Sequence, residues 1–296
     1  MKIVSLAPAT TDLLISLGKE VDLVGVEDEL RAAELSKRAA CGKNDRGVFG
    51  DEGVLWEVLK ALKPDAICCS FPFADDDGAQ LKKAQAVASA NLGDAVRVIS
   101  YTPVSLAQVY EGIETLGKHF GAAAKGREVA QRMKAQFMDW GDNFYERTRN
   151  KKVVVLSSVE PCVVASGWIG DLVRLCSAIP IEPKKKGNQS IRWEDVVVFR
   201  PDVIIVAPQF VTLKESVKLF TVCEKFPEWE NLPAVKRGEV YFSDGVEHFY
   251  RPSLKLIDSM AILTSAIAGF ESGYITPRES FFKLRWLEMH RHRVIT

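Results

Sequence analysis

No stretch of this 296-residue chain approaches the run of about 18–20 apolar residues that a membrane span needs. The opening MKIVSLAP enters a strand-like run at once, without the charged segment, apolar segment and small-residue cleavage site of a secretory signal. On that reading the chain is cytoplasmic, or periplasmic if the sequence is that of a mature form. Charge of one sign is also lacking: 39 basic residues balance 39 acidic ones. That balance excludes a dominant nucleic-acid footprint. None of the six cysteines (Cys41, Cys68, Cys69, Cys162, Cys176, Cys223) forms a C-x-x-C pair, which removes zinc-site spacing and leaves reduced, mostly buried thiols. Histidine is scarce, with four in the chain, and His119, His248, His290 and His292 are scattered, so no metal site is expected. A phosphate-binding loop, a Gly-x-Gly-x-x-Gly turn and a Gly-x-Ser-x-Gly elbow are all missing. No carboxylate pair can be assigned to acid–base chemistry, and Asp75–Asp77 reads as a solvated acidic loop. These absences leave no catalytic group to assign, and the expectation is a non-enzymatic binding protein without a catalytic cofactor.

What the chain does contain is an internal echo. Trp56-Glu57 leads to Leu62-Lys63-Pro64-Asp65-Ala66-Ile67, and Trp193-Glu194 leads to Phe199-Arg200-Pro201-Asp202-Val203-Ile204 with the same spacing, 137 residues later. Lys152–Leu156 answers Lys2–Leu6, and Asp171-Leu172 answers Asp12-Leu13. Two lobes built alike make a cleft, and clefts hold small ligands. The repeat itself has a mechanical reading. Proline ends a helix, the aspartate bonds nearby backbone as the chain turns into a strand, and the tryptophan anchors the helix.

Strand-like runs at Ile3–Leu6, Val21–Val26, Ala66–Ser70 and Val96–Ser100 alternate with helical patterns, the signature of an α/β lobe with a mostly parallel sheet. The apolar series Leu106, Val109, Ile113, Leu116, Phe120 marks one amphipathic helix. A second series, Val129, Met133, Phe137, Trp140, Phe144, marks a helix over about 124–147, roughly 36 Å long at the α-helical rise. The expected organisation is an N-terminal α/β lobe over 1–122, a long helix over 123–149, a C-terminal α/β lobe over 150–270 and a tail helix over 271–296. The tail carries apolar residues and a basic end.

Open α/β sheets place ligands at the C-terminal ends of their strands. Pro8, Phe49, Phe71, Phe73 and Tyr101 occupy such positions in the first lobe. Trp168, Phe210, Asp244, His248, Phe249, Tyr250 and Arg251 occupy them in the second. Aromatic residues on both lips with a few polar groups suit a large, flat, partly apolar ligand.

Several segments together resemble a known group: IVSLAPATTDLLISLG, ALKPDAI, VISYTPVSL, ASGWIGDLV, WEDVVVFRPDVIIVAP and VYFSDGVEHFYRPSLKLIDSMAIL. They are similar to the cobalamin-binding branch of the class III periplasmic-binding-protein superfamily, the receptors of ABC importers for cobalamin and ferric siderophores. The resemblance implies two Rossmann-like lobes joined by one rigid helix and a ligand held between them. It implies cobalamin or a related corrinoid as ligand, with a ferric siderophore, or a cytosolic corrinoid-handling protein or enzyme, as alternatives. An interaction protein that has kept the fold and lost its ligand is a further rival. An ABC permease is the implied partner of an exported form. Such a permease docks an acidic residue on each lobe, and Asp75–Asp77 and Glu215 stand near those places. A monomer with a small metal-chelate ligand is expected.

Overall fold

Short apolar runs at Ile3–Ser5 (β1), Leu23–Val26 (β2), Ala39–Ala40 (β3), Ala66–Cys69 (β4) and Arg97–Ser100 (β5) pair in the order β3-β2-β1-β4-β5, every pair parallel. Every residue of β1 and β4 is buried, as strands covered on both faces require. Helices α1 (Pro8–Ser16), α2 (Glu29–Glu34), α3 (Trp56–Leu62) and α4 (Asp77–Leu92) alternate with these strands. The computed structural model describes residues 1–35, 38–42, 54–71, 77–181, 183, 189–270 and 281–283. By contacts the chain divides into one unit of Met1–Pro103 with Tyr110–Ala130 and another of Val104–Val109 with Gln131–Thr296.

Two of the three divisions fall inside helices, α5 (Leu106–His119) and α6 (Ala123–Asn143), and the third lies just before α5. The expected apolar series on α5 is buried throughout. On α6, Val129, Met133 and Phe137 are buried and Trp140 is half-buried. The long helix stops at Asn143 rather than continuing to 149, because Phe144 (φ −109°, ψ 6°) leaves the helical region before the four-residue α7 (Tyr145–Thr148).

The second unit holds β6 (Lys152–Ser158), β7 (Val163–Val164), β8 (Ile179–Pro180), β9 (Gln189–Ser190), β10 (Val203–Val206), β11 (Val240–Ser243) and β12 (Phe281–Lys283). Their order is β12-β11-β10-β6-β7-β9, with β8 pairing β6. β6, β8, β10 and β11 run parallel, whereas β7, β9 and β12 join antiparallel. The helices are α8 (Trp168–Leu175), α9 (Trp193–Phe199), α10 (Leu213–Lys218), α11 (Phe220–Cys223), α12 (Pro233–Lys236) and α13 (Leu256–Ala268). Residues 281–283, expected in a tail helix, instead form an edge strand on β11; Phe281 is buried against Tyr241, ring centroids 5.3 Å apart. The rest of that tail lies outside the described residues. Among the described residues no helix is long and apolar enough to cross a membrane. All six cysteines are free, and burial pushes Cys41, Cys69, Cys176 and Cys223 up to about 12.

The echo in the sequence has a common geometry. α3 and α9 each end on a left-handed basic residue, Lys63 (φ 51°) and Arg200 (φ 54°). Proline and aspartate follow. Asp65 Oδ2 accepts the Lys2 N–H at 2.7 Å while its own N–H donates to the Lys2 carbonyl at 2.9 Å. Asp202 Oδ2 accepts the Lys152 N–H at 2.9 Å while its own N–H donates to the Lys152 carbonyl at 2.7 Å. The aspartate therefore clamps the lysine at the start of the neighbouring strand, Lys2 just before β1 and Lys152 opening β6, rather than its own turn. Trp193 anchors α9 as expected: it stacks on Phe226 at 4.4 Å and donates its indole N–H to the Pro227 carbonyl at 2.7 Å.

Candidate functional site

Three parallel strands of the second unit, β6, β10 and β11, end on one edge of the sheet, and the loops after them are tied to one another. The β6–β7 excursion ends at Gly167 (φ 61°), where a Cβ would stand 2.6 Å from the Val104 carbonyl oxygen. That close approach starts α8 with Trp168 half-buried, its indole N–H donating to the Phe249 carbonyl at 2.8 Å. Asp171, one turn on, accepts the Leu106 N–H at 2.9 Å at the start of α5.

The loops after β10 and β11 clasp each other. Gly245 N–H donates to the Val211 carbonyl at 2.8 Å, and Phe210 N–H donates to the Gly245 carbonyl at 3.3 Å. A Cβ on Gly245 would lie 1.8 Å from the Pro208 carbonyl oxygen, so only glycine fits. Asp244 holds this clasp closed: Oδ1 accepts the N–H groups of Val246 and Glu247, both at 2.8 Å, and Oδ2 accepts that of Leu213 at 2.9 Å. The Tyr250 hydroxyl donates to the Ala207 carbonyl at 2.6 Å, and burial holds its phenol well above the ordinary range. Phe249 has a left-handed backbone (φ 69°), a fully buried ring and an N–H that donates to Ser259 Oγ at 2.8 Å.

Of the seven residues expected at this edge, the structure brings all seven together but gives them different duties. Asp244 and Phe249 build the loop: the carboxylate is occupied by backbone and the ring has no free surface. Phe210, 48% exposed, and the half-buried Trp168 offer aromatic surface. Arg251 lies 3.5 Å from Glu247, which also meets Lys255 at 3.6 Å. His248 has a buried Nδ1 without a hydrogen-bond partner. Burial lowers its pKa, against the opposing pull of Asp258, Asp244 and Glu247.

In the first unit, Pro8 opens α1 immediately after β1 and is half-buried. Phe71 and Tyr101 are interior residues at 3% and 4% exposure. Phe71 joins the apolar core, and the Tyr101 ring packs against Gly112 so closely that a Cβ there would stand 2.3 Å from it. Phe49 and Phe73 lie outside the described residues. The same sheet edge carries a polar cluster that the sequence reading passed over. Thr11 Oγ1 donates to Glu27 Oε2 at 2.6 Å, and Ser5 meets Thr10 at 2.7 Å. Glu27 is 2% exposed, and its pKa is raised by desolvation. Its signal was an acidic residue directly after a strand, opposite the Ser-x-x-x-x-Thr-Thr that follows β1. Asp77 begins α4 rather than a loop, and Asp75 and Asp76 lie outside the described residues. Glu215 closes a capping box with Thr212, a bond that lowers its pKa.

The profile of the family described as "Periplasmic binding protein" matches residues 3–246. An "Uncharacterized ABC transporter substrate-binding lipoprotein YvrC" of Bacillus subtilis (strain 168) is 25% identical over 274 residues, 90% of this chain and 79% of that one. Among solved structures, S. aureus IsdE complexed with heme superposes with a TM-score of 0.70 at 20% identity, covering 90% of this chain and 98% of that one. The periplasmic vitamin B12 binding protein BtuF of Vibrio cholerae gives 0.63 at 18% identity, covering 91% and 98%. At such identities the structures speak for the fold alone. The cytoplasmic location expected from the N-terminal sequence is overturned, since the matched family is periplasmic and the Bacillus relative is a lipoprotein. The resemblance to a cobalamin branch narrows to the wider group, whose members of this fold include heme and B12 binders. With parallel-rich sheets in both units and the family profile running from β1 to the loop after β11, this chain belongs to the periplasmic binding proteins, the substrate-binding type of ABC importers.

Proposed function

We propose that this protein captures a cobalamin-type corrinoid outside the cytoplasm and delivers it to an ABC permease, without chemical turnover. The observation that carries the reading is the character of the strand-end surface of the second unit. It offers carbon in Phe210 and Trp168, while Asp244 is spent on backbone and Arg251 and Lys255 are both drawn to Glu247, the one carboxylate they share. A large macrocycle rimmed by neutral amides matches such a surface. Ferric siderophores and heme carry carboxylates or other anionic groups that call for uncommitted cations.

Heme is the second reading, and His248 is what favours it, because it stands in the strand-end loop after β11 and imidazole is a natural iron ligand. Isothermal titration separates the two. Cyanocobalamin is expected to give saturable heat at tens of micromolar protein, with an unchanged visible spectrum. Heat from hemin alone, with a Soret shift that disappears in His248→Ala, would replace the corrinoid reading. Silence with both ligands and saturation by a ferric chelate would move the assignment to siderophores.

A further inference from the structure

At the other edge of the same sheet, where β6, β10 and β11 begin, a cavity of about 360 Å³ is lined by Arg149, Asn150 and Lys151 on one side and by Asp202, Arg237 and Glu239 on the other. Its charges do not cancel. Both carboxylates are fully engaged. Asp202 accepts the Lys152 N–H and Arg237 Nη2, at 2.9 and 2.6 Å. Glu239 accepts Lys283 Nζ and the Tyr241 hydroxyl, at 2.9 and 2.5 Å. Lys151 reaches neither carboxylate. Its ammonium donates to the Ile267 carbonyl at 2.5 Å, and among the described residues it has no carboxylate within salt-bridge distance. Arg149 meets Glu146 through Nε alone, at 3.2 Å, and that pair is half or more exposed, so it is weak. Burial loosens the Lys151 proton, against the opposing pull of Glu239 and Asp202 and with help from the neighbouring cations Arg237 and Lys283.

We propose that this cavity is a binding site for a dianionic oxyanion of the phosphate class, with Lys151 as its central ligand and the Arg149 and Arg237 guanidinium groups on its flanks. Guanidinium forks match tetrahedral oxyanions, and lysine adds a point charge. The volume exceeds what a bare phosphate fills and falls within the range of small-ligand pockets. A phosphomonoester, free or as a lipid headgroup, is therefore the chemistry it fits. The site is separate from the strand-end surface proposed for the corrinoid and stands or falls independently of it.

The test is direct titration of the full chain with inorganic phosphate, and sedimentation with vesicles of phosphatidylcholine with or without phosphatidic acid. Lys151→Gln, Arg149→Gln and, as a surface control on α6, Lys125→Gln are run beside the wild type. The expected result is saturable phosphate binding, weakened at least about tenfold by Lys151→Gln and less by Arg149→Gln, with Lys125→Gln unchanged. Binding only to phosphatidic acid vesicles, lost in Lys151→Gln, supports the site and assigns the headgroup as its source. No saturable binding of either probe up to about 10 mM phosphate, or binding that survives both Lys151→Gln and Arg149→Gln, overturns the proposal. Arg149 is exposed, so its variant folds even if Lys151→Gln does not.

Discussion

Truncating Phe249 to alanine separates residues that build the strand-end loop from residues that meet a ligand. The ring has no exposed surface, its N–H is held by Ser259 and its carbonyl accepts the Trp168 indole. Removing a buried phenyl ring costs about 3–5 kcal/mol. Each kcal/mol is worth about 2–4 °C in a domain of 150–250 residues. The transition that unfolds the second unit should therefore fall by roughly 6–20 °C. The backbone supplies an internal control. Phe249 sits at φ 69°, a left-handed conformation that costs an L-residue about 1–2 kcal/mol and glycine almost nothing. Phe249→Gly loses the same ring but sheds that strain, and glycine's larger unfolded-state entropy takes back part of the gain. The glycine variant should thus melt above the alanine variant, by an amount corresponding to about 1 kcal/mol. Scanning calorimetry of the three proteins reads both quantities. An alanine variant within about 2 °C of wild type would show that the ring is not a packing element. A glycine variant less stable than the alanine one would refute the strained backbone.

Phe210→Ala should do the reverse. Roughly half of an aromatic side chain's 150–250 Å² is exposed, so its cover by a ligand is worth up to about 2.5 kcal/mol. Titration with cyanocobalamin should show affinity falling by tenfold or more, while stability falls by about 2.5 kcal/mol at most, the share of the buried half of the ring and less than in Phe249→Ala. His248 makes stability depend on pH. Its folded value lies below 6.5, so the unfolded chain takes up a proton first as pH falls. Stability is then complete above 6.5 and is lost on acidification through the folded value. Urea melts between about pH 5 and 8 should show this slope reduced in His248→Gln, and equal slopes would count against a buried neutral imidazole. Gly245→Ala should cost about 1–3 kcal/mol, because the new methyl meets the Pro208 carbonyl oxygen at 1.8 Å and the two loops must part. Urea midpoints within error of wild type would show that the clasp has slack.

The parallel sheets were legible because buried strands flanked by helices leave a plain alternation of apolar runs and amphipathic periods, and β1, β4, β6 and β10 fall where those runs stand. The short antiparallel strands β7 and β9 were not. Two residues carry no periodicity, and pairing at an edge is decided by the neighbour. β12 was misread as helix because its apolar residues look alike in either period, and only the partner strand distinguishes them. At the candidate site the sequence pointed to strand-end loops and could not tell which of their residues are buried and which are open. Phe71, Tyr101, Phe210 and Phe249 all stand at strand ends, yet three are buried and one is open. What separates them is contact with the next element: Gly112 beneath Tyr101, Ser259 beside Phe249, Gly245 beside Phe210. Gly245 lies far outside the window that periodicity reads, and the other two partners stand on the helix that follows the residue they meet, so the apolar pattern alone does not announce the contact.

The repeated Trp-Glu…Pro-Asp unit bears on function through a difference between its copies. Both aspartates clamp the lysine at the start of the adjacent strand, which is enough to explain why Pro-Asp recurs. Asp65 makes no contact with a guanidinium among the described residues, whereas Asp202 also takes Arg237 at 2.6 Å. The residues near the two strand starts diverge in the same way. The residue before the clamped lysine is Met1 in the first copy and Lys151 in the second, whose Nζ is drawn inward to the Ile267 carbonyl. The second copy has thus kept the clamp and added cations around it. The comparison predicts an asymmetry. Asp202→Ala should cost about 1–3 kcal/mol, because the part-buried Lys152 N–H and Arg237 both lose their acceptor. Asp65→Ala should cost less, since the Lys2 N–H it abandons is exposed to water. Asp202→Ala should also raise phosphate affinity by removing a negative charge from the cavity wall, whereas Asp65→Ala should leave it unchanged. Equal losses of stability in urea, together with phosphate affinity unmoved by either substitution, would mean that the two clamps are interchangeable and that the added cations serve only to neutralise Asp202.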